Sequence, residues 1–501
     1  MKFVSTRGRA SSVTAAEALV SGLAPDGGLY VPEHLPAPRE DWEATANLTY
    51  AELAAEVLAL FFTDWEKEEL LTLCRKAYNG TFNMPGIIRV RKVGEKRYFT
   101  ELFHGRTLAF KDMALSLFPH LLQAAKKKLG RTETTLILTA TSGDTGKAAL
   151  AGFQDVPGTE IIVFYPEHGV SPVQKWQMQT QAGENVHVYG VEGNFDDAQT
   201  FVKAAFEDPD LRAYAKDHGV AFSSANSINI GRLLPQIVYY IRTYAELVKA
   251  GEIKKGEAFD VCVPTGNFGN ILAGYLAKQL GVPIAKLICA SNENHVLTDF
   301  FRTGTYDRRR EFHATHSPSM DILISSNLER FIYYLLDGDA QATASYLEEL
   351  RVNGRFTLPE SAMARTNDFL CGWVDDEETV RLMGRMHKEH GYVMDPHTAV
   401  AVGVSDQLQE ERDGRLLVII STANPYKFPD TVAQALQLDT QDATDDFDRM
   451  WQIANISSLP LPIQFFHLRE KQPRFHESVE KEDLQNVVRA TIAAMTEHNE
   501  N

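Results

Sequence analysis

Lys111 is the residue whose position asks for a chemical explanation. It lies in His104-Gly105-Arg106-Thr107-Leu108-Ala109-Phe110-Lys111-Asp112, and the spacing of Met113, Leu117, Leu121 and Ala124 predicts a helix over 108–129 closed by Gly130. A cation in the first turn opposes the helix dipole, so a structural lysine sits better at the other end, where Lys126 to Lys128 are. The dipole and the apolar neighbours Phe110 and Met113 favour the neutral amine, the form that attacks an aldehyde. On this segment alone, a solvated surface lysine is the plainer reading.

Two glycine turns add places to hold anions. Phe259 to Pro264 reads as a buried strand, Thr265-Gly266-Asn267-Phe268-Gly269-Asn270 as a turn, and Ile271 to Leu280 as a helix closed by Gly281. Gly266 and Gly269 let backbone N–H groups converge on a phosphate at the helix start. The turn lacks the third glycine of a dinucleotide fingerprint. The other turn, Thr141-Ser142-Gly143-Asp144-Thr145-Gly146, follows the strand-like Thr135 to Ala140. A nucleotide P-loop needs glycine at 141 and Ser or Thr at 148, where this chain has Thr141 and Ala148. Hydroxyls at Thr141, Ser142 and Thr145 with free helix N–H groups suit a small carboxylate instead. An amine and two anion-holding loops point to pyridoxal 5'-phosphate chemistry.

Further along, Asn226, Ser227, Asn229 and Arg232 gather donors and one cation near another helix start, as a second phosphate site needs; capping explains Asn226 or Ser227 but not all four. Asp395-Pro396-His397-Thr398-Ala399 opens a helix, with His397 read as a hydrogen-bonded structural residue. Arg415 to Ile420 is a final strand that delivers Ser421 and Thr422 at its carboxyl end.

Taken in order, these pieces resemble the threonine synthase family of fold-type II pyridoxal phosphate enzymes. The match includes Ser5-Thr6-Arg7-Gly8, Gly22 to Pro32, the Lys111 stretch, Ala140 to Gly146, Asn226-Ser227-Ile228-Asn229, Pro264 to Asn270, Ser317 to Ile322, Asp395 to Ala399 and Ser421 to Pro429. The family usually has proline at Arg106 and histidine at Asn424; Arg106 reads as solvent-facing, and Asn424 leaves the neighbouring hydroxyls intact.

The resemblance implies that Lys111 holds the cofactor as a Schiff base, that Gly266, Asn267, Phe268, Gly269 and Asn270 hold its phosphate, and that a hydroxyl of Ser421 or Thr422 faces its ring nitrogen. The substrate carboxylate would lie among Thr141, Ser142, Asp144 and Thr145, although a carboxylate repels Asp144, which could instead orient neighbouring donors or meet the cofactor's ring hydroxyl. Asn226, Ser227, Asn229 and Arg232 would hold the leaving phosphate. The reaction implied is conversion of O-phospho-L-homoserine and water to L-threonine and phosphate. Another fold-type II lyase, such as a serine or threonine dehydratase, or a non-catalytic binder of phosphorylated ligands, stays open on the residues alone.

The elements that must position these groups follow an alternating pattern. Strand-like runs at 135–140, 160–166, 185–191, 221–224, 259–264 and 286–291, with helical runs between them, predict an α/β fold with parallel sheets and ligands at the strands' carboxyl ends. The fold class expected is two parallel-sheet α/β domains plus an N-terminal, mainly helical domain. Domain limits are expected at 1–98 (leading domain), 99–431 (catalytic region) and 432–501 (helical tail packing on the body), since 501 residues exceed what one core supports.

A formal net charge of −17 argues against a nucleic-acid footprint. Cys74, Cys262, Cys289 and Cys371 lack metal-ligand spacing and read as reduced residues of a cytoplasmic protein, with no metal site. No secretory signal and no apolar run of membrane-spanning length is seen. The family tendency implies a monomer.

Overall fold

Two parallel sheets place the glycine turns and the lysine on facing edges. The computed structural model describes residues 1–193, 195–457 and 459–499. The leading segment pairs β1 (Phe3–Ser5) with β2 (Tyr30–Pro32) antiparallel and otherwise forms helices Ala15–Ser21, Tyr50–Ala59 and Lys67–Tyr78. The first two helices start with capping boxes, Thr14 with Glu17 and Thr49 with Glu52, which satisfy the N–H groups of cap and first turn reciprocally. The Tyr78 hydroxyl donates to Met113 O at 2.7 Å, so this segment packs directly behind the turn that follows Lys111.

The body continues with β3 (Arg89–Lys92), β4 (Arg97–Glu101), β5 (Thr134–Ala140), β6 (Thr159–Pro166), β7 (Val186–Glu192), β8 (Val220–Ser224), β9 (Phe259–Pro264) and β10 (Ile284–Ser291). After these come β11 (Thr305–Asp307), β12 (Arg355–Thr357), β13 (Phe369–Trp373), β14 (Leu417–Ser421) and β15 (Ser478–Glu480). The larger sheet has the order β13-β10-β9-β14-β4-β3 and is parallel except at its β3 edge. The smaller, β15-β7-β6-β5-β8, is parallel throughout. Strand β9 is buried at every position, as a parallel strand covered on both faces requires.

Three expectations change. The helix over 108–129 is broken into Asp112–Leu115 and Phe118–Lys128. Pro119 lies in the first turn of the second piece, where its missing N–H costs nothing and its ring restrains the residue before it. Lys111 is thereby the N-cap of a single short turn. The larger sheet begins at Arg89, ahead of the limit at residue 98, because β3 pairs with β4. The tail is not wholly helical: β15 extends the smaller sheet along β7, and Leu484, Val488 and Ile492 of the last helix join the smaller sheet's core.

One fully buried cation links the leading segment to the site loops. Arg330 Nε donates to Tyr30 O at 2.9 Å, Nη2 to Ile228 O at 2.6 Å and Nη1 to Asn327 Oδ1 at 2.5 Å. Arg330→Met leaves these acceptor oxygens without their donor and is expected to cost about 3 kcal/mol of stability, measured as a lower midpoint in urea unfolding.

Candidate active site

The site forms where strand ends from both sheets meet. Lys111 follows β4 and Thr422 follows β14 of the larger sheet, Thr265 to Phe268 follow β9 of the same sheet, and Thr141 to Gly143 follow β5 of the smaller one. Phe110 N–H donates to Thr422 O at 2.8 Å, which docks the lysine segment against the end of β14. Phe110, Lys111, Thr141, Ser142, Thr145, Asn226, Ser227, Arg232, Gly266 to Asn270 and Thr422 line one cavity of about 80 Å³.

Lys111 is buried, with Nζ 3.0 Å from Ser319 Oγ, 3.6 Å from Asp144 Oδ2 and 5.2 Å from the Phe110 ring centre. Burial pushes its amine below the ordinary lysine value; Asp144 opposes that, and Arg232 and Lys427 add to it. The net direction favours the neutral, nucleophilic amine. Asp144 is also buried, which by itself raises its carboxyl, but Lys427, then Lys111 and the Gln174 amide, hold it well below the usual carboxylate range. Lys427 Nζ is 3.0 Å from Asp144 Oδ1, and Gln174 Nε2 donates to the same oxygen at 2.8 Å.

That geometry revises the place given to Asp144. Its oxygens face Lys427, Gln174 and Lys111, and it does not line the cavity. Thr141 lines the cavity but spends its hydroxyl on its own turn, accepting Gly143 N–H at 2.9 Å and Gly146 N–H at 2.8 Å. Ser142 and Thr145 are half-buried and face the space. Ser421 is turned away, its Oγ 3.1 Å from Thr398 Oγ1, leaving Thr422 as the hydroxyl at the cavity wall.

The second anion group also separates into two kinds. Arg232 is buried with no acidic partner among the described residues; Nη1 donates to Ala225 O, Nε has no partner among them, and burial lowers the guanidinium to about 10. Asn226 and Ser227 line the cavity beside it. Asn229 does not: its Oδ1 caps the helix Ile230–Leu233 through Gly231 N–H at 2.9 Å, and its Nδ2 donates to Leu19 O at 3.1 Å. A capping asparagine and an anion-binding one look alike in sequence. Arg106 is exposed and away from the cavity, and Asn424 Oδ1 accepts Tyr426 N–H at 3.1 Å as a local cap.

In the 265–270 turn, Phe268 takes a left-handed conformation at φ 62° as the cap of the helix Gly269–Gln279. Gly266 has no room for a side chain, since a Cβ there would lie 2.5 Å from Ser319 O. Asn270 Oδ1 accepts the Tyr239 and Tyr240 hydroxyls at 2.7 and 2.6 Å, and its buried Nδ2 has no partner. Ser319, Gln174 and Lys427 are site residues to which sequence reasoning gave no role. Only the Ser317 to Ile322 and Ser421 to Pro429 motifs drew attention to two of them.

Three family models match the chain in order: threonine synthase N terminus over residues 2–78, pyridoxal-phosphate dependent enzyme over 89–422, and threonine synthase C-terminal over 398–492. The chain belongs to the threonine synthase family. Threonine synthase of Pseudomonas aeruginosa is 37% identical over 437 residues, which is 87% of this chain and 90% of that protein. Threonine synthase-like 1 of Homo sapiens is 39% identical over 457 residues, 89% of this chain, and the chain spans 61% of that relative's length. The crystal structure of pyridoxal phosphate-bound threonine synthase from Brucella melitensis matches with a TM-score of 0.85 at 35% identity, covering 98% of this chain and 99% of the other.

The residues present fit the cofactor of a threonine synthase. A turn whose Gly266 has no room for a Cβ, an unpartnered Asn270 amide and a buried lysine with a lowered pKa line one cavity, the donor set that an anionic aldehyde needs.

The Asp144 cluster makes a pH-dependent prediction. Its carboxyl lies below its unfolded value of 3.8, so the stability it contributes is present above about pH 4 and lost as pH falls. Asp144→Asn leaves Lys427 buried without a counter-ion and is expected to cost about 3 kcal/mol at pH 7. Urea unfolding at pH 7 and pH 3 should show the gap between variant and parent narrowing at the lower pH.

Proposed function

We propose that this chain is a pyridoxal phosphate-dependent lyase that converts O-phospho-L-homoserine and water to L-threonine and phosphate, the last step of threonine biosynthesis. The observation that carries the reading is Arg232: a buried guanidinium whose Nε has no partner and which meets no carboxylate among the described residues, lining the same cavity as Lys111. A substrate with a carboxylate but no second anion, as a serine or threonine dehydratase takes, leaves that cation uncompensated.

Pyridoxal phosphate, when bound, supplies an electron sink next to the substrate's Cα. Gly266 to Asn270 would hold its phosphate through backbone N–H groups and the Asn270 amide, Lys111 would anchor it, and Thr422 is the hydroxyl available for its ring nitrogen. Ser142 and Thr145, with the free N–H groups of the helix Asp144–Phe153, would orient the substrate carboxylate. Arg232, Asn226 and Ser227 would take the substrate phosphate and stabilise it as it leaves. Lys111, its pKa lowered by burial, can accept a proton from one carbon and return it to the next, as loss of a γ-phosphate requires.

The same proposal makes the chain a cytoplasmic monomer acting on a small molecule, with neither nucleic acid nor membrane as partner. Unpaired Cys74, Cys262, Cys289 and Cys371 support a reducing compartment. The domain limits proposed are those expected from sequence, with the first moved to precede β3.

Purified protein should release phosphate and threonine from O-phosphohomoserine in equal amounts, and Lys111→Ala should release neither. Arg232→Gln is expected to lower kcat/KM about 100-fold while keeping the lysine-bound cofactor absorbance. Phosphate without threonine, or an Arg232→Gln enzyme of parental activity, contradicts the proposal.

A further inference from the structure

Among the described residues the Ser319 hydroxyl donates no hydrogen bond, yet the backbone N–H of Ser319 is held and its carbonyl is closely packed. Asp395 caps the helix Pro396–Gln407 and directs its oxygens at that helix start: Oδ1 accepts His397 N–H at 3.0 Å and faces the ring Nδ1 at 2.8 Å, while Oδ2 accepts the Thr398 hydroxyl. A carboxylate on Nδ1 places the imidazole proton there and leaves the other ring nitrogen a lone pair. That nitrogen, Nε2, accepts Ser319 N–H at 3.1 Å. The Phe428 ring packs edge-on against the imidazole at 5.1 Å between centres. On the carbonyl side, Ser319 O occupies the space that a Cβ on Gly266 would need.

The hydroxyl of this fixed residue is the group 3.0 Å from Lys111 Nζ. A hydroxyl both accepts and donates, so it can stay bonded to the lysine nitrogen in its charged and neutral forms. Asp144 can only accept, stands farther off at 3.6 Å, and is already paired with Lys427.

We propose that Ser319 is a second catalytic residue of the lysine site, its hydroxyl holding the Lys111 amine in both protonation states, and that His397 is the positioning residue that fixes Ser319. The inference rests on Lys111 being the cofactor-binding lysine. The charged groups facing Lys111 are Asp144, Arg232 and Lys427; those facing His397 are Asp395, Asp321 and Asp144.

The test uses the full chain freed of cofactor, because uptake of added pyridoxal phosphate needs no substrate. Its rate rises with pH as the Lys111 amine loses its proton, and losing an acceptor of the charged form moves the midpoint down. Ser319→Ala is expected to lower that midpoint by about one pH unit. In the reloaded enzyme it should lower kcat for threonine about 100-fold, with KM changed by no more than about threefold. His397→Gln, which keeps an acceptor at the far end of the side chain, should stay near the parent, whereas His397→Leu should follow Ser319→Ala. A Ser319→Ala protein with the parental uptake midpoint and kcat overturns the proposal. Unchanged uptake by Lys111→Ala overturns instead the lysine assignment beneath it.

Discussion

Lys427 lies 3.0 Å from Asp144, and Asp144 lies 3.6 Å from Lys111, all three buried. Both lysines belong to the larger sheet's loops and the aspartate to the smaller sheet's, so this ion cluster joins the two halves at the point where the cavity opens. One carboxylate shared by two ammonium groups cannot fully compensate both in a low-dielectric setting. Lys427 has the shorter contact and two further acceptors, Thr107 O at 2.8 Å and Gln177 Oε1 at 3.0 Å. Lys111 is the partner left undercompensated, and its lowered pKa follows from that inequality together with burial.

The rest of the pocket is arranged around an amine kept in that state. The Gly266 turn offers N–H groups rather than cations, which would depress Lys111 further, and Arg232 lies on the smaller-sheet side after β8. Two residues of the framing loops take left-handed backbone conformations, Leu108 at φ 62° and Phe268 at φ 62°, and Gly143 at φ 126° lies in a third. Such conformations persist when surrounding contacts hold them. Here Leu108 O accepts Asn424 N–H at 2.9 Å, and a Cβ on Gly143 would collide with Gln174.

Sequence patterns carried the strands well because buried parallel strands are short unbroken apolar runs; 259–264 was delimited to the residue, and 135–140 and 160–166 each lacked only their first residue. Patterns that depend on three-dimensional neighbours were less legible. The break before Phe118 depended on how Pro119 was accommodated, which helical periodicity does not reveal. Asn229 matched an anion site by composition and turned out to cap a helix. Ser319 meets Lys111 across 208 residues and Lys427 meets Gln177 across 250, separations at which no local spacing signals contact. His397 was rightly read as hydrogen-bonded, but its partner, the Ser319 N–H, belongs to another segment.

The central claim is that Lys111, not one of the other buried lysines, is the amine that carries the cofactor. Borohydride reduction of the holoenzyme followed by peptide mass mapping tests it directly. The account predicts a phosphopyridoxyl mass on the peptide containing Lys111 alone. The same mass on Lys427, or no modified lysine in a protein that shows bound cofactor, contradicts it.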